Sequence, residues 1–123
     1  IGVANGTHAS DADSITESVF FHLDGSALDI KAESDDGTTE VAATDTTVDA
    51  VDDTFFDFRI DARDLSDIKL YINGARVLSA KTFKLDKATG PFKLLVHVEK
   101  SANDTPGDFR VAHLAIRTLD AAA

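Results

Sequence analysis

Apolar residues alternate with polar ones along most of this chain, and this period of two restricts its fold more than any other feature. A β-strand points successive side chains to opposite faces, so alternation predicts strands with one dry and one wet face. The clearest case is residues 54–62, where Phe56, Phe58 and Ile60 share one face. Helical periodicity is poor throughout, and only residues 78–88 are a candidate for a turn of helix.

Turn residues separate the alternating segments at intervals of about 8 to 12 residues, a spacing typical of an antiparallel β-sandwich. We therefore predict an all-β fold with a single β-sandwich domain over residues 1–118 and an exit tail at 119–123. Residues 44–53 are predicted to form a loop or a short edge strand. The predicted strands are residues 18–24, 27–33, 38–43, 54–62, 67–73, 76–79, 92–100 and 109–118.

Short turn motifs join these strands. Asn73-Gly74 is the strongest hairpin signal, because both residue types tolerate the positive φ angles of a two-residue turn. Further turns are predicted at residues 24–26, 35–37 and 105–108, which contain Asp-Gly or Pro-Gly. Two apolar rows are expected to share the dry interior of the sandwich, namely Phe56, Phe58 and Ile60, and Ile68, Leu70 and Ile72.

The composition excludes several classes of function. The chain has 12 Lys and Arg against 22 Asp and Glu, a formal net charge of −10, which disfavours nucleic acid and anionic membranes as partners. Cysteine is absent, so disulfides, thiolate metal sites and cysteine nucleophiles are excluded. The sequence also lacks a Gly-rich phosphate loop and a nucleophile elbow, and we expect no cofactor.

Two stretches carry a family resemblance. Residues 55–61 (FFDFRID) and 67–77 (DIKLYINGARV) resemble a hairpin of concanavalin A-like jelly rolls. Residues 94–100 (LLVHVEK) and 105–111 (TPGDFRV) are similar to the ending of one branch of that group, which is common among virion proteins of tailed bacteriophages. The resemblance covers roughly residues 20–117 and implies a concanavalin A-like jelly roll.

The same resemblance implies a structural role. The branch includes capsid decoration (cement) proteins, so a non-enzymatic protein on the capsid surface of a virion is expected, with the major capsid protein as partner. Such proteins often form trimers or dimers on symmetry axes, which implies a homo-oligomer. Exposed sheet edges and the polar segments 44–53 and 81–90 are the expected contacts. The chain has no Met and begins with Ile1, so we expect it to be the C-terminal part of a longer jelly roll.

Asp57, Arg59 and Asp61 alternate on one strand face, at the spacing of the catalytic carboxylates of concanavalin A-like glycanases. The central residue here is Arg, which is expected to pair with its neighbours and keep both carboxylates ionised. An ionised carboxylate cannot act as a general acid. We therefore predict a charge-balanced strand face, no catalytic residues and no enzymatic activity.

Two sets of side chains, carboxylates and histidines, could in principle bind a metal ion. Asp11, Asp13, Asp35, Asp36, Asp52 and Asp53 offer oxygen ligands for Ca²⁺, but no EF-hand spacing occurs and turn or surface roles are favoured. His8, His22, His97 and His113 fall on different predicted strands, without paired spacing. No metal site is predicted from either set.

Carbohydrate binding is the alternative function, as a host-adhesion module of a tail fibre or a similar protein. Sugars stack most often on exposed Trp, but the chain has no Trp, 8 Phe and a single Tyr. Tyr71, with Asn73 and Arg76 beside it near a hairpin end, is the possible ligand platform. Loss of a saturable sugar response in Tyr71→Ala is the result that would favour this alternative.

Overall fold

Two antiparallel sheets make up the fold. The structure, a computed structural model, describes residues 1–6, 14–23, 27–98 and 109–118, and in these residues it is all-β. One sheet has five strands in the order β4-β3-β2-β1-β8, and the other has three in the order β5-β6-β7. The strands are β1 (Gly2–Ala4), β2 (Glu17–Leu23), β3 (Asp29–Asp36), β4 (Glu40–Asp49), β5 (Phe58–Asp61), β6 (Lys69–Ile72), β7 (Ala75–Val77) and β8 (Lys93–Leu95).

The centre of the five-stranded sheet follows the predicted alternation. Val19 and Phe21 of β2 lie on the inner face and are almost fully buried, beside Ile30 and Ala32 of β3. Phe20 points to the other face and is also buried, so both faces of β2 are covered. The predicted strands 18–24 and 27–33 are therefore confirmed over most of their length, while the turn predicted at 24–26 lies outside the described residues.

The three-stranded sheet supplies the opposite wall of the core. Ile68, Leu70 and Ile72 are each at most 3% exposed and belong to the same apolar cluster as the inner residues of β2 and β3. Phe58 lies half-buried against Phe21, with ring centroids 5.0 Å apart, so aromatic rings join the two sheets. The prediction that the row Phe56, Phe58 and Ile60 and the row Ile68, Leu70 and Ile72 share one interior is therefore confirmed. The structure is consistent with a β-sandwich, and the jelly-roll connectivity stays a prediction.

The β6–β7 hairpin forms at the predicted turn. Asn73 and Gly74 have φ angles of 50° and 81°, as a two-residue turn with matching twist requires. The turn sets Ile72 opposite Ala75 and Leu70 opposite Val77. It therefore keeps the inner residues of both strands on one face.

The helical turn considered for residues 78–88 is wrong. Phe83 and Leu85, two positions apart, are both 1% exposed and enter the core, as an extended chain allows and a helix does not. The Ile68 N–H donates to the Phe83 carbonyl at 2.9 Å, and the Leu85 N–H donates to the Leu65 carbonyl at 2.8 Å. The segment therefore makes one isolated antiparallel bridge, between Phe83 and Ile68, and forms no helix.

The predicted boundary between the strand at 38–43 and the segment 44–53 needs correction. Residues 44–49 lie in an edge strand, as one of the two alternatives predicts, but they continue the preceding strand, so that β4 is a ten-residue edge of the large sheet. Residues 50–53 follow β4 and form no strand. Threonine and valine suit an extended chain, and the β3 ladder supplies hydrogen-bond partners. The predicted turn at 35–37 lies directly before it, where the Gly37 N–H donates to the Asp35 carboxylate at 2.8 Å.

The C-terminal part departs most from prediction. The strand predicted at 92–100 is reduced to β8 (Lys93–Leu95), which pairs with β1, and Glu99 and Lys100 lie outside the described residues. The prediction of a last strand at residues 109–118 is wrong, because none of the described strands supplies these residues with a hydrogen-bond ladder. The turn predicted at 105–108 and the tail at 119–123 also lie outside the described residues.

Candidate functional site

The outer face of the three-stranded sheet brings together residues that sequence analysis treated separately. Tyr71 of β6 lies opposite Arg59 of β5 and opposite Arg76 of β7. The Arg59 guanidinium carbon lies 4.2 Å from the centre of the Tyr71 ring, which is a cation–π contact. We call Arg59, Tyr71 and Arg76 the outer row. The platform residues Tyr71 and Arg76 are therefore cross-strand neighbours, and Arg59 covers part of the Tyr71 ring.

Asn73, the third platform residue, makes hydrogen bonds that hold the hairpin. Its side-chain oxygen accepts a hydrogen bond from the Asp57 N–H at 2.9 Å, and its own N–H donates to the Asp57 carbonyl at 2.8 Å. These two bonds attach the β6–β7 turn to the chain that enters β5. The side-chain oxygen of Asn73 thus accepts a hydrogen bond within the hairpin, whereas Arg76 is exposed and Tyr71 is partly exposed.

The carboxylate of Asp61 is held by arginine, but mainly by Arg63 rather than by the expected Arg59. Arg63 donates two hydrogen bonds to Asp61, at 2.8 and 2.6 Å, whereas Arg59 lies 3.8 Å away. The hydrogen bonds from Arg63 lower the pKa of Asp61 to about 2 against the effect of its burial. Asp61 is therefore ionised at any physiological pH, a state suited to ion pairing and unsuited to general-acid catalysis.

A solvent-open depression of about 230 Å³ adjoins Asp61. Every side chain that lines it is charged: Asp61, Arg63, Asp64, Asp67 and Lys69. Asp64 is also engaged, since its carboxylate accepts hydrogen bonds from the Ser66 N–H at 3.0 Å and the Ser66 hydroxyl at 2.7 Å. Small-molecule sites are usually apolar clefts with a few polar groups, so this depression fits water and ions better than an organic ligand.

The Asp35-Asp36 pair forms a turn. The Asp36 carboxylate accepts hydrogen bonds from the N–H groups of Thr38 at 2.9 Å and Thr39 at 2.7 Å. Burial raises the pKa of Asp36, but the N–H groups of Thr39, Thr38 and Lys87 outweigh it, so the pKa lies below its usual value. No group of three or more potential ligands is arranged to hold a metal ion in the ranges that the structure describes. Asp11 and Asp13 lie outside those ranges.

None of the described histidines belongs to a group of three or more potential metal ligands. His22 Nε2 lies 3.3 Å from the Glu33 carboxylate, and the His22 ring makes an edge contact with Phe20. His97 follows β8, and His113 is exposed in the segment 109–118. His8 lies outside the described residues.

Glu17 is a structural carboxylate that the sequence analysis missed. It is 8% exposed and accepts hydrogen bonds from the Thr89 N–H at 2.9 Å, the Thr89 hydroxyl at 3.0 Å, the Gly90 N–H at 2.9 Å and the Asn5 amide at 2.7 Å. The N–H groups of Thr89 and Gly90 are the main cause of its lowered pKa. Glu17 fixes the segment that leads into β8. No local sequence pattern indicates this role of Glu17, because its partner Thr89 lies 72 residues further along the chain.

A second surface lies at the β4 edge of the large sheet. The Lys81 ammonium donates a hydrogen bond to the Thr44 hydroxyl at 2.9 Å, so the two polar segments expected to make contacts are neighbours. We call the exposed residues of 44–53 and 81–90 the β4 surface. Its charges are mixed, with Asp45 and Asp49 on one segment and Lys81 and Lys87 on the other. Phe83 and Leu85 belong to the core and are not part of this surface.

No protein-family model, curated protein or solved structure matches this chain. Within the described ranges, no helix has the length and apolar character needed to cross a membrane.

Proposed function

We propose that this chain is a non-enzymatic structural protein of a phage virion, which decorates the capsid surface and stabilises the shell by binding the major capsid protein. The resemblance of residues 55–61 and 67–77 to concanavalin A-like jelly rolls supports the fold. The similarity of residues 94–100 and 105–111 to a branch that includes capsid decoration proteins supports the virion and its capsid as the location. The contact between Lys81 and Thr44 supports the binding role, because it joins two polar segments into one continuous surface.

The polar composition of the β4 surface is typical of a non-obligate protein–protein interface. Interfaces of this kind are about as polar as the rest of a protein surface, and charges at their rim select the partner. Exposed carboxylates of residues 44–53 and exposed ammonium groups of residues 81–90 belong to the same surface, which gives it a mixed rather than a uniform charge. Such a pattern favours one orientation on a partner subunit.

The β4 surface is also held in place by the rest of the sheet. The Thr46 hydroxyl donates to the Ile30 carbonyl at 2.6 Å, and the Ala50 N–H donates to the Leu28 carbonyl at 2.7 Å. A surface that is ordered before binding loses less conformational entropy on association. Binding alone can stabilise the shell without a catalysed reaction. A protein present at about 100 times its Kd stabilises the partner that it binds by about 2.7 kcal/mol.

Co-sedimentation tests this proposal. Capsids of the phage that encodes the chain, stripped of the native protein, are mixed with the purified wild type, with Lys81→Glu or with Arg76→Glu. Both substitutions reverse one exposed charge, but only Lys81 lies on the β4 surface. We expect wild type and Arg76→Glu to pellet with the capsids and Lys81→Glu to stay in the supernatant. Wild type that never pellets with capsids contradicts the proposal.

Carbohydrate binding on the outer row is the second candidate. The observation that favours it is the single Tyr of the chain lying between two Arg residues on an exposed sheet face. Guanidinium groups beside an aromatic ring suit a sugar that carries a carboxylate better than a neutral one. Calorimetric titration with acidic and neutral oligosaccharides tests this. A saturable response to acidic sugars that is lost in Tyr71→Ala supports it, and no response to either class rejects it.

A further inference from the structure

Residues 86–95, which we call the strap, run from the core residue Leu85 through β8 and include no buried residue. Of its side chains, Ala88 and Phe92 pack against the core, and both are only partly buried. The backbone ladder of the strap is limited to the three residues of β8, which pair with β1 alone among the described strands. Apolar burial and ladder hydrogen bonds therefore hold the strap weakly.

Two buried carboxylates supply further attachment for the strap. Glu17 lies directly opposite Asp36 in the β2–β3 ladder, so the two side chains share a face, and they are 8% and 1% exposed. Glu17 accepts three hydrogen bonds from the strap, from the N–H and hydroxyl of Thr89 and from the N–H of Gly90. The Lys87 N–H and ammonium group both favour the ionised form of Asp36. The strap is therefore attached to the large sheet at residues 87, 89 and 90.

The contact at Gly90 leaves no room for a side chain. A Cβ atom at this position would lie 2.9 Å from the Asn5 Cβ and 3.1 Å from a carboxylate oxygen of Glu17. Asn5 also donates its side-chain amide to Glu17 at 2.7 Å, so Glu17 joins the end of β1 to the strap. Because β1 is the strand with which β8 pairs, loss of the Glu17 contacts affects both members of that pair.

The groups that surround Glu17 make this attachment depend on its charge. Among the described residues, β3 presents the Asp36 carboxylate to Glu17, and β1 presents the neutral amide of Asn5. The strap presents the Lys87 ammonium, which attracts Asp36 and pairs with Asp86 at 3.4 Å. Neighbouring carboxylates repel each other, so Glu17 and Asp36 stay ionised together because N–H donors and a cation stabilise their charges. Those donors come largely from the strap.

We propose that Glu17 and Asp36 form an acid-sensitive latch, so that their protonation releases the strap from the large sheet while the rest of both sheets stays folded. Protonation turns an acceptor oxygen into an O–H donor that faces the N–H donors of the strap. The N–H groups of Thr89 and Gly90 are the main cause of the lowered pKa of Glu17. The latch is therefore closed above the ordinary value of 4.5 and opens as the pH falls through the folded pKa. Asp36 acts in the same direction, since its pKa lies below 3.8 although burial raises it.

Opening of the latch would alter the β4 surface, because residues 86–90 belong to both. This consequence for capsid binding rests on the proposed function. The latch itself is a property of the isolated chain, and its test needs no capsid.

Amide NMR spectra of the ¹⁵N-labelled chain across an acid titration test the latch. In wild type, we expect the signals of residues 87–95, apart from Pro91, to move to the positions of a disordered chain as the pH falls below 4.5, while the signals of β2 keep their folded positions. In Glu17→Gln, the strap signals should already hold the disordered positions at pH 7, because Gln offers one acceptor oxygen where the carboxylate offers two. Glu40→Gln removes an exposed carboxylate outside the latch and should leave the strap signals at their wild-type positions at pH 7.

Two results overturn the inference. One is a wild type whose strap and β2 signals change together in a single transition, because acid then unfolds the whole chain at once. The other is a folded Glu17→Gln whose strap signals match wild type at pH 7. If Glu17→Gln does not fold, the wild-type titration alone decides. A latch that opens as expected in a chain that never pellets with capsids supports this inference and contradicts the proposed function.

Discussion

Leu70 offers the sharpest test that the two sheets enclose one core. It lies at the centre of β6, opposite Ile60 of β5 and Val77 of β7, and it is 1% exposed. Leu70→Ala removes three buried carbon groups at about 0.8 kcal/mol each, or about 2.4 kcal/mol, before any cavity forms. A residual cavity adds roughly 1 kcal/mol, so we expect a loss of about 3 to 4 kcal/mol in the free energy of unfolding.

Leu65 is the matched control for this substitution. It is 44% exposed, and its contact with the core segment runs through its backbone carbonyl, which Ala retains. We expect Leu65→Ala to cost about 1 kcal/mol or less. Urea unfolding followed by far-UV circular dichroism measures both variants, at one protein concentration because association would add to the apparent stability. If Leu70→Ala and Leu65→Ala lose the same free energy within about 0.5 kcal/mol, the shared-core argument is wrong.

Three further outcomes follow from the hairpin, the buried carboxylate and the outer row. Gly74→Ala should lose about 1 kcal/mol because of its φ of 81°, whereas Gly6→Ala, with equal space for a methyl group and no positive φ, should lose none; thermal unfolding compares them. Because the pKa of Glu17 is lowered in the folded state, its contribution to stability is present above its ordinary value of 4.5 and is lost as the pH falls through the folded pKa. Glu17→Gln should therefore be less stable at pH 7 and show a shallower fall in acid, while Glu40→Gln, at an exposed position, should match the wild-type stability at pH 7. The emission of Tyr71, the single Tyr of the chain, should change when Arg59→Ala removes the guanidinium 4.2 Å from its ring, and an unchanged spectrum would contradict that contact.

The parts of the fold that sequence analysis predicted well are those whose signals are local. Alternation within one strand predicts its inner face correctly where a strand pairs on both sides. Val19 and Phe21 of β2, which pairs with β1 and β3, are the example. The Asn73-Gly74 turn needs only the backbone freedom of two adjacent residues, and it forms where predicted. Local chemistry was therefore sufficient for the hairpin and for the rows that line the core.

The errors come from interactions between distant residues. Phe83 and Leu85 lie in the segment 78–88, for which the sequence predicts at most a turn of helix, although two apolar residues spaced by two can line a core. Glu17 gave no signal because its partners lie far along the chain. In both cases the decisive contact depends on tertiary packing, which a single segment does not encode.

The failure at residues 109–118 has a different cause, which is the dependence of a strand on its neighbours. A helix satisfies its backbone hydrogen bonds within itself, but a strand needs a neighbour, so alternation predicts a capacity to pair and leaves the partner unspecified. In a monomer that capacity is unused here, although β8 presents an open edge and an uncovered Leu94 on the same sheet. The departure from prediction therefore reflects the lack of a ladder partner among the described strands, which an alternating pattern cannot supply by itself.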